Sequence, residues 1–171
     1  MADAEADVIG DADFAELFHA RYRDVCRYSA LMLGSVRDAE DVAAETFVKA
    51  YEASRAGRGP RGEPLPWLLL IARRIVMNRR RRARFISWLP LRNGFDASGE
   101  ASELEEMEFR VWLRQLSRLL TARECELLFL QYLDDLDDGR AGVVLGLSPS
   151  GVRTLRSRAL GKLRERKESW R

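Results

Sequence analysis

Apolar residues along this chain recur at intervals of three and four, and no useful length of it alternates apolar with polar. That spacing gathers them on one side of an α-helix, whereas a half-buried strand needs a period of two. Between Asp13 and Leu33 the stripe comprises Phe14, Leu17, Phe18, Tyr22, Val25, Met32 and Leu33; Ser29 is its polar break and Gly34 its end. A second helix is expected from about Asp38 to Ala53, with Ala39, Val42, Ala43, Thr46, Phe47, Ala50 and Tyr51 on one face. Glu40, Asp41, Ala44, Glu45, Val48 and Lys49 occupy the other face. Gly57, Gly59, Pro60, Gly62, Pro64 and Pro66 then make a loop. The next helix is expected from Trp67 to about Arg82, with Pro66 tolerated in its first turn. It begins almost wholly apolar and ends as bare arginine.

Residues 85–102 carry Pro90, Asn93, Gly94, Ser98 and Gly99, the one clear shift in composition, which marks a domain boundary. Helicity resumes near Glu103 with a stripe of Phe109, Trp112, Leu113, Leu116, Leu119 and Leu120. Thr121 and Glu124 have the spacing of a capping box, in which the hydroxyl and the carboxylate each satisfy an orphan N–H. An apolar helix over Cys125–Leu133, an acidic turn at Asp134–Asp138 and a short segment Gly139–Leu145 follow. Gly146 breaks that segment, and Ser148-Pro149 starts a last helix whose seam is Val152, Leu155, Ala159 and Leu163. The expected fold is all-α, two small helical domains joined by a flexible acidic linker. The boundaries read from the sequence are an acidic tail at 1–12, a first domain at 13–86, a linker at 87–104 and a second domain at 105–171.

A formal net charge of +2 conceals strong segregation. Arg73 to Arg84 holds seven arginines and no acid, and Asp96 to Glu108 six acids and no base. Arg140 to Arg171 holds nine bases against Glu165 and Glu168. Two anion-binding surfaces separated by a repulsive spacer account for such blocks. Other classes find no support. Cys26, Cys125 and His19 are too few and too scattered for a zinc site, so the cysteines are expected free and half-buried on helices. The glycines of Gly57–Gly62 lack the Lys-Ser/Thr pair of a phosphate-binding loop. No catalytic set, cofactor, metal or small-molecule substrate is expected, and the chain is read as no enzyme. No apolar run approaches the ~20 residues of a membrane span, and no signal peptide precedes the acidic start. A cytoplasmic protein without membrane insertion is expected.

Three constellations remain. The segment Asp137–Arg166 reads as a helix-turn-helix, whose second helix would present Ser150, Arg153, Thr154, Ser157 and Arg158 to base edges. The plainer reading is an amphipathic terminal helix with a solvated basic face. In the third helix Arg73, Arg74, Asn78 and Arg79–Arg82 stand off the core, where like charges repel unless a polyanion lies beside them. Trp67 and Trp88 have the chemistry to stack on unpaired bases, although Trp67, within an apolar run, is read as core. Glu40, Asp41 and Glu45 share a face that suits a basic protein partner.

Taken together these residues resemble the extracytoplasmic-function subfamily of the sigma-70 RNA polymerase sigma factors. The stretch Gly34 to Tyr51 looks like the helix of conserved region 2, and Pro66–Arg73 with Asn78-Arg79-Arg80 like the promoter-reading helix. Leu145 to Ser148 with Val152, Arg158, Ala159 and Leu163 looks like the helix-turn-helix of region 4. The resemblance implies that Glu40, Asp41, Glu45 and Lys49 dock on core RNA polymerase. It implies that Arg58, Arg61, Trp67, Arg73, Arg74, Asn78 and Arg81 engage the −10 element of promoter DNA, with the loop 58–63 holding a flipped-out base. Ser150, Arg153, Thr154, Ser157 and Arg158 would read the −35 element. The acidic linker would run near the active-site path, and an anti-sigma factor would hold the protein inactive. Asp138, Ala141 and Gly142 stand where the family carries a tyrosine and an Ile-Ala pair, and Thr154-Leu155-Arg156 lacks the leucine expected at its third position. Gly139 and Gly142 each cost a helix about 1 kcal/mol against alanine, so the first helix of the motif is expected to be weak and −35 recognition weak, altered in sequence or dependent on a partner. The alternative is a helix-turn-helix regulator that is not a polymerase subunit, which explains only the last third.

Overall fold

Two residues make the first corner. A computed structural model describes residues 9–86 and 118–168; the expected linker, Trp88, the helix expected to resume near Glu103 and the side chain of Arg84 lie outside the described residues. Helix α1 (Asp11–Leu33) stops because Gly34 takes φ 72°, a left-handed conformation that costs glycine nothing, and donates its N–H to Ala30 O at 2.8 Å. Ser35 then caps helix α2 (Val36–Arg55), its Oγ accepting from Asp38 N at 3.3 Å. The short connection folds α2 back along α1. Phe14 meets Tyr51 at 5.1 Å between ring centroids, while Phe18 and Tyr22 meet Phe47 at 4.9 and 6.0 Å. Early α1 therefore lies beside late α2, and each such aromatic pair adds about 0.5–1.5 kcal/mol beyond its burial. Ile9 N donating to Ser54 Oγ at 3.0 Å and Tyr51 OH donating to Asp11 Oδ1 at 2.9 Å tie down the start of α1.

Helix α3 (Pro64–Ile86) begins three residues before the expected Trp67. Pro64 and Pro66 both fall in its first turn, where the N–H they lack would have no acceptor within the helix. Leu65, Leu68, Leu69, Ala72, Ile75 and Val76 are buried, a strict three-and-four spacing. Val25, Tyr28, Val42 and Phe47 are buried on α1 and α2, the helices against which α3 packs. Fully burying one large apolar side chain contributes about 1.5–3 kcal/mol. On α2 the expected apolar face is buried apart from Tyr51, which is exposed, and Thr46 satisfies its hydroxyl on Val42 O at 2.7 Å. Ser29 is fully buried, its hydroxyl without a hydrogen-bond partner.

The chain divides into two compact units, 1–96 and 97–171. In the second, the described residues form α4 (Ala122–Tyr132), α5 (Asp138–Leu145) and α6 (Pro149–Glu168), which pack on one another. The capping box forms as its spacing predicts: Thr121 Oγ1 accepts from Glu124 N at 3.3 Å, and Glu124 Oε2 accepts from Thr121 N at 2.7 Å. That carboxylate also receives Lys162 Nζ at 2.8 and 2.7 Å, pinning α6 to the start of α4. Asp137 caps α5 through Arg140 N at 2.8 Å. Arg123 donates to Leu145 O at 3.0 Å and covers the other end of α5.

The structure corrects one expectation in this unit. Gly142 is not a defect of the short helix. Gly146 at φ 65° turns the chain so that Leu147 N reaches Gly142 O at 2.9 Å, and a Cβ on Gly142 would sit 2.5 Å from the Leu147 carbonyl oxygen. The turn between α5 and α6 closes only over a residue without a side chain. Ser148 then caps α6 as expected, its Oγ accepting from Gly151 N at 3.2 Å.

Candidate nucleic-acid interface

On α2 the face opposite the core presents Glu40, Asp41, Ala44, Val48 and Lys49 to solvent, with Glu45 half-buried. Val48, 59% exposed, gives this acidic face an apolar centre. The face continues onto α1. Tyr22 is pushed up to about 12, first by burial, then by its bonded neighbour Cys26, then by the negative charge of Glu40 and Asp41. Burial also raises the Cys26 thiol, and both cysteines are free and half-buried, as expected. Glu45 is not wholly available to a partner. Arg79 Nη2 donates to its Oε2 at 2.9 Å, and Lys49 Nζ lies 3.8 Å from its Oε1.

That bond revises the expectation for the arginine run. The fold itself uses Arg79 and Arg80. Arg79 pairs with Glu45, and Arg80 donates to the Met32 carbonyl near the C-terminus of α1, where cations are favoured. Arg74, Asn78, Arg81 and Arg82 remain exposed along α3, with Arg81 Nη2 reaching Asn78 Oδ1 at 3.5 Å. Arg73 and Trp67 are half-buried at the margin of the apolar face. The loop before α3 places Arg58 and Arg61 in solvent while burying Pro60. Gly57 and Gly62 adopt φ 68° and 98° there, and Glu63 approaches Arg21 Nη2 at 3.7 Å, so the loop is anchored at both ends. Arg58, Arg61, Arg74, Asn78 and Arg81 thus lie on the loop and helix of one unit, outside its core.

In the second unit Ser150, Arg153, Thr154, Ser157 and Arg158 are all exposed on α6, while Val152 and Ala159 are buried and Leu155 and Leu163 half-buried. The seam and the polar face therefore separate as their spacing predicts. Thr154 Oγ1 returns to Ser150 O at 3.0 Å. Spacing gave no sign of the polar cluster beneath them. Asp138 Oδ1 accepts from Gln131 Nε2 at 2.8 Å and from Arg156 Nη1 at 2.6 Å, and Arg153 Nη1 lies 3.6 Å from Asp138 Oδ2. Burial opposes charge on Asp138, but the Gln131 hydrogen bond and the two arginines prevail and hold it below the ordinary carboxylate range. Among the described residues no group of three or more His, Cys, Asp or Glu is arranged to hold a metal ion. None of the described helices is long and apolar enough to cross a membrane.

Comparison with known proteins gives this geometry a family. Residues 17–86, all three helices of the first unit beyond the opening turns of α1, match the Sigma-70 region 2 family. The first unit is a sigma-70 region 2 domain. Over 160 residues the chain is 28% identical to the ECF RNA polymerase sigma factor BldN of Streptomyces coelicolor, covering 90% of this chain and 60% of that protein. The chain thus spans 60% of the length of that curated relative. The fold matches the sigma factor RpoE of Bartonella quintana, solved with the anti-sigma factor NepR, with a TM-score of 0.71 at 18% identity over 90% of this chain and 95% of that one. It matches CnrH, solved with the cytosolic domain of CnrY, with a TM-score of 0.69 at 20% identity over 98% and 99%. The chain is thus similar along most of its length to an extracytoplasmic-function sigma factor, and its first unit carries the family's region 2 match. Sigma factors are not enzymes.

Proposed function

We propose that this protein binds core RNA polymerase and directs promoter-specific transcription initiation, with no bond-making chemistry of its own. The observation that carries the reading is the division of labour within the region 2 unit. One helix turns an acidic face with an apolar centre to solvent, and another turns exposed arginines and an asparagine outward from a fully apolar base. The first suits a basic protein surface and the second a nucleic-acid backbone.

In this reading Glu40, Asp41, Glu45 and Lys49 dock on the polymerase. Arg58, Arg61, Trp67, Arg73, Arg74, Asn78 and Arg81 engage the −10 element, and Ser150, Arg153, Thr154, Ser157 and Arg158 read the −35 element. The working domains are region 2 at 13–86 and region 4 at 105–171, with 87–104 as linker and 1–12 as tail. The protein acts in the cytoplasm, and an anti-sigma factor controls it by covering surfaces that the polymerase needs. The sigma factor RpoE, which it resembles in fold, supports that last element, having been solved with an anti-sigma factor. The regulator reading explains α6 and leaves the region 2 match unaccounted for.

The test is transcription of fragmented genomic DNA by core enzyme with and without the protein. The reading expects new transcripts whose start sites share two upstream sequence elements. Unchanged transcript ends, together with failure to co-migrate with core enzyme, would sink it.

A further inference from the structure

Three helices of the second unit meet at one carboxylate. Asp138 is the first residue of α5, where a negative charge is favoured by the helix dipole. Its Oδ1 takes the amide of Gln131 on α4 at 2.8 Å and the guanidinium of Arg156 on α6 at 2.6 Å. Gln131 Oε1 also lies 3.4 Å from Arg156 Nη1, so the three side chains brace one another. The second oxygen, Oδ2, stands 3.6 Å from Nη1 of Arg153, three residues before Arg156 on α6. The Arg153 side chain is 57% exposed and that of Asp138 only 22%. The carboxylate thus holds one nitrogen of Arg153 from the protein side, and a guanidinium has five N–H donors in all.

We infer that Asp138 is a positioning residue for DNA reading: it orients Arg153 and so sets base selection at one position of the −35 site. The inference rests on the proposed role of α6. A surface arginine samples many rotamers, and ordering it opposes binding. A fixed carboxylate beside it removes part of that cost before DNA arrives. The same charge weakens the pull of Arg153 on any phosphate that passes, which favours the paired acceptors of a guanine edge over indiscriminate backbone contact. Arg156, shorter-bonded and less exposed, is the anchor that keeps Asp138 in place. Two of the departures from the family pattern, aspartate at 138 and arginine at 156, are therefore one feature. An ion pair joins α5 to α6 at these positions, and its second oxygen is left for Arg153.

The experiment selects from a pool of labelled duplexes with a randomised window, using the full chain alone and with core RNA polymerase. Wild type, Arg153→Ala, Asp138→Asn and Arg156→Lys are compared, with thermal midpoints measured in parallel. Wild type should enrich a defined sequence, and Arg153→Ala should lose preference at one base pair of it. Asp138→Asn should lose preference at that same base pair by about tenfold, with its affinity for unselected duplex not reduced and its thermal unfolding still cooperative, at a lower midpoint. Arg156→Lys, which keeps a cation against Asp138, should select as wild type does. Selection by Asp138→Asn identical to wild type would overturn the inference. So would a uniform loss of affinity for all sequences, the mark of a merely structural role. If Asp138→Asn fails to fold, Asp138→Glu serves: its longer arm must alter preference at the Arg153 base pair alone, and unaltered preference refutes the inference. Failure of wild type to enrich any sequence, or indifference to Arg153→Ala, would instead overturn the reading of α6 itself.

Discussion

Gly142 separates what spacing suggests from what the turn requires. By helix propensity alone, alanine there should stabilise the second unit by about 1 kcal/mol. In the structure its Cβ would lie 2.5 Å from the Leu147 carbonyl oxygen, 3.6 Å from the Leu147 carbonyl carbon and 3.6 Å from Val152 Cγ2. Carbon and oxygen in contact normally sit about 3.3 Å apart or more, so the Leu147 carbonyl must retreat by roughly 0.8 Å. That carbonyl belongs to the turn leading to the Ser148 cap, and displacement spreads to α6. Overpacking of this kind costs about 1–3 kcal/mol, which leaves a net loss of up to about 2 kcal/mol once the propensity gain is subtracted. Gly161, within α6, is the control, because its Cβ would meet nothing within 4 Å. Gly161→Ala should stabilise by up to about 1 kcal/mol. For a domain of this size each kcal/mol moves Tm by about 4–8 °C. Scanning calorimetry of the intact chain should show the transition of the second unit falling for Gly142→Ala and rising for Gly161→Ala. A rise in both would refute the close approach and restore the weak-helix reading.

Other consequences are as direct. Ser29→Ala removes a fully buried hydroxyl without a partner and should raise the stability of the first unit by about 1 kcal/mol; a loss in urea denaturation would show that the hydroxyl is in fact bonded. Burial would raise the Glu124 carboxyl, but Lys162 and Thr121 outweigh it and bring the group below its ordinary value. The unfolded chain thus takes up this proton at higher pH than the folded one, so the stabilisation is present above the usual carboxylate pKa of about 4 and is lost as pH falls through the lower folded value. Denaturation midpoints of the second unit should therefore drop on acidification, less steeply in Glu124→Gln; equal slopes would contradict the assignment. Asp41→Lys with Glu45→Lys should weaken binding to core polymerase by at least tenfold while leaving the circular dichroism of the helices intact, since close charge pairs across interfaces couple by about 1.5 kcal/mol or more. Unchanged affinity would remove that face from the interface.

Much of this architecture was legible because helices announce themselves locally. The stripes on α2 and α6, the Thr121–Glu124 capping box and the Ser148 cap all follow from residues within a few positions of one another, and all form as expected. Helix ends moved by two or three residues where caps, not apolar spacing, decide them, as at Ser35 and Pro64. What stayed hidden depends on partners far apart in sequence. Arg79 reaches Glu45 across 34 residues, Arg80 reaches Met32 O across 48, and Lys162 reaches Glu124 across 38. No spacing rule relates such positions. For the same reason Asp138 read as a flaw in the helix-turn-helix, although it is the residue that joins three helices.

Strand separation at a promoter, followed by permanganate reactivity of unpaired thymines, tests the central claim most directly. Core polymerase with this protein should open a promoter bearing both elements, while core alone and the protein alone should not. Alanine at Arg74 and Asn78 should abolish opening with core binding retained. If the protein binds duplex DNA tightly by itself yet never opens it with core enzyme, it is a regulator rather than a polymerase subunit, and its role in promoter opening is refuted.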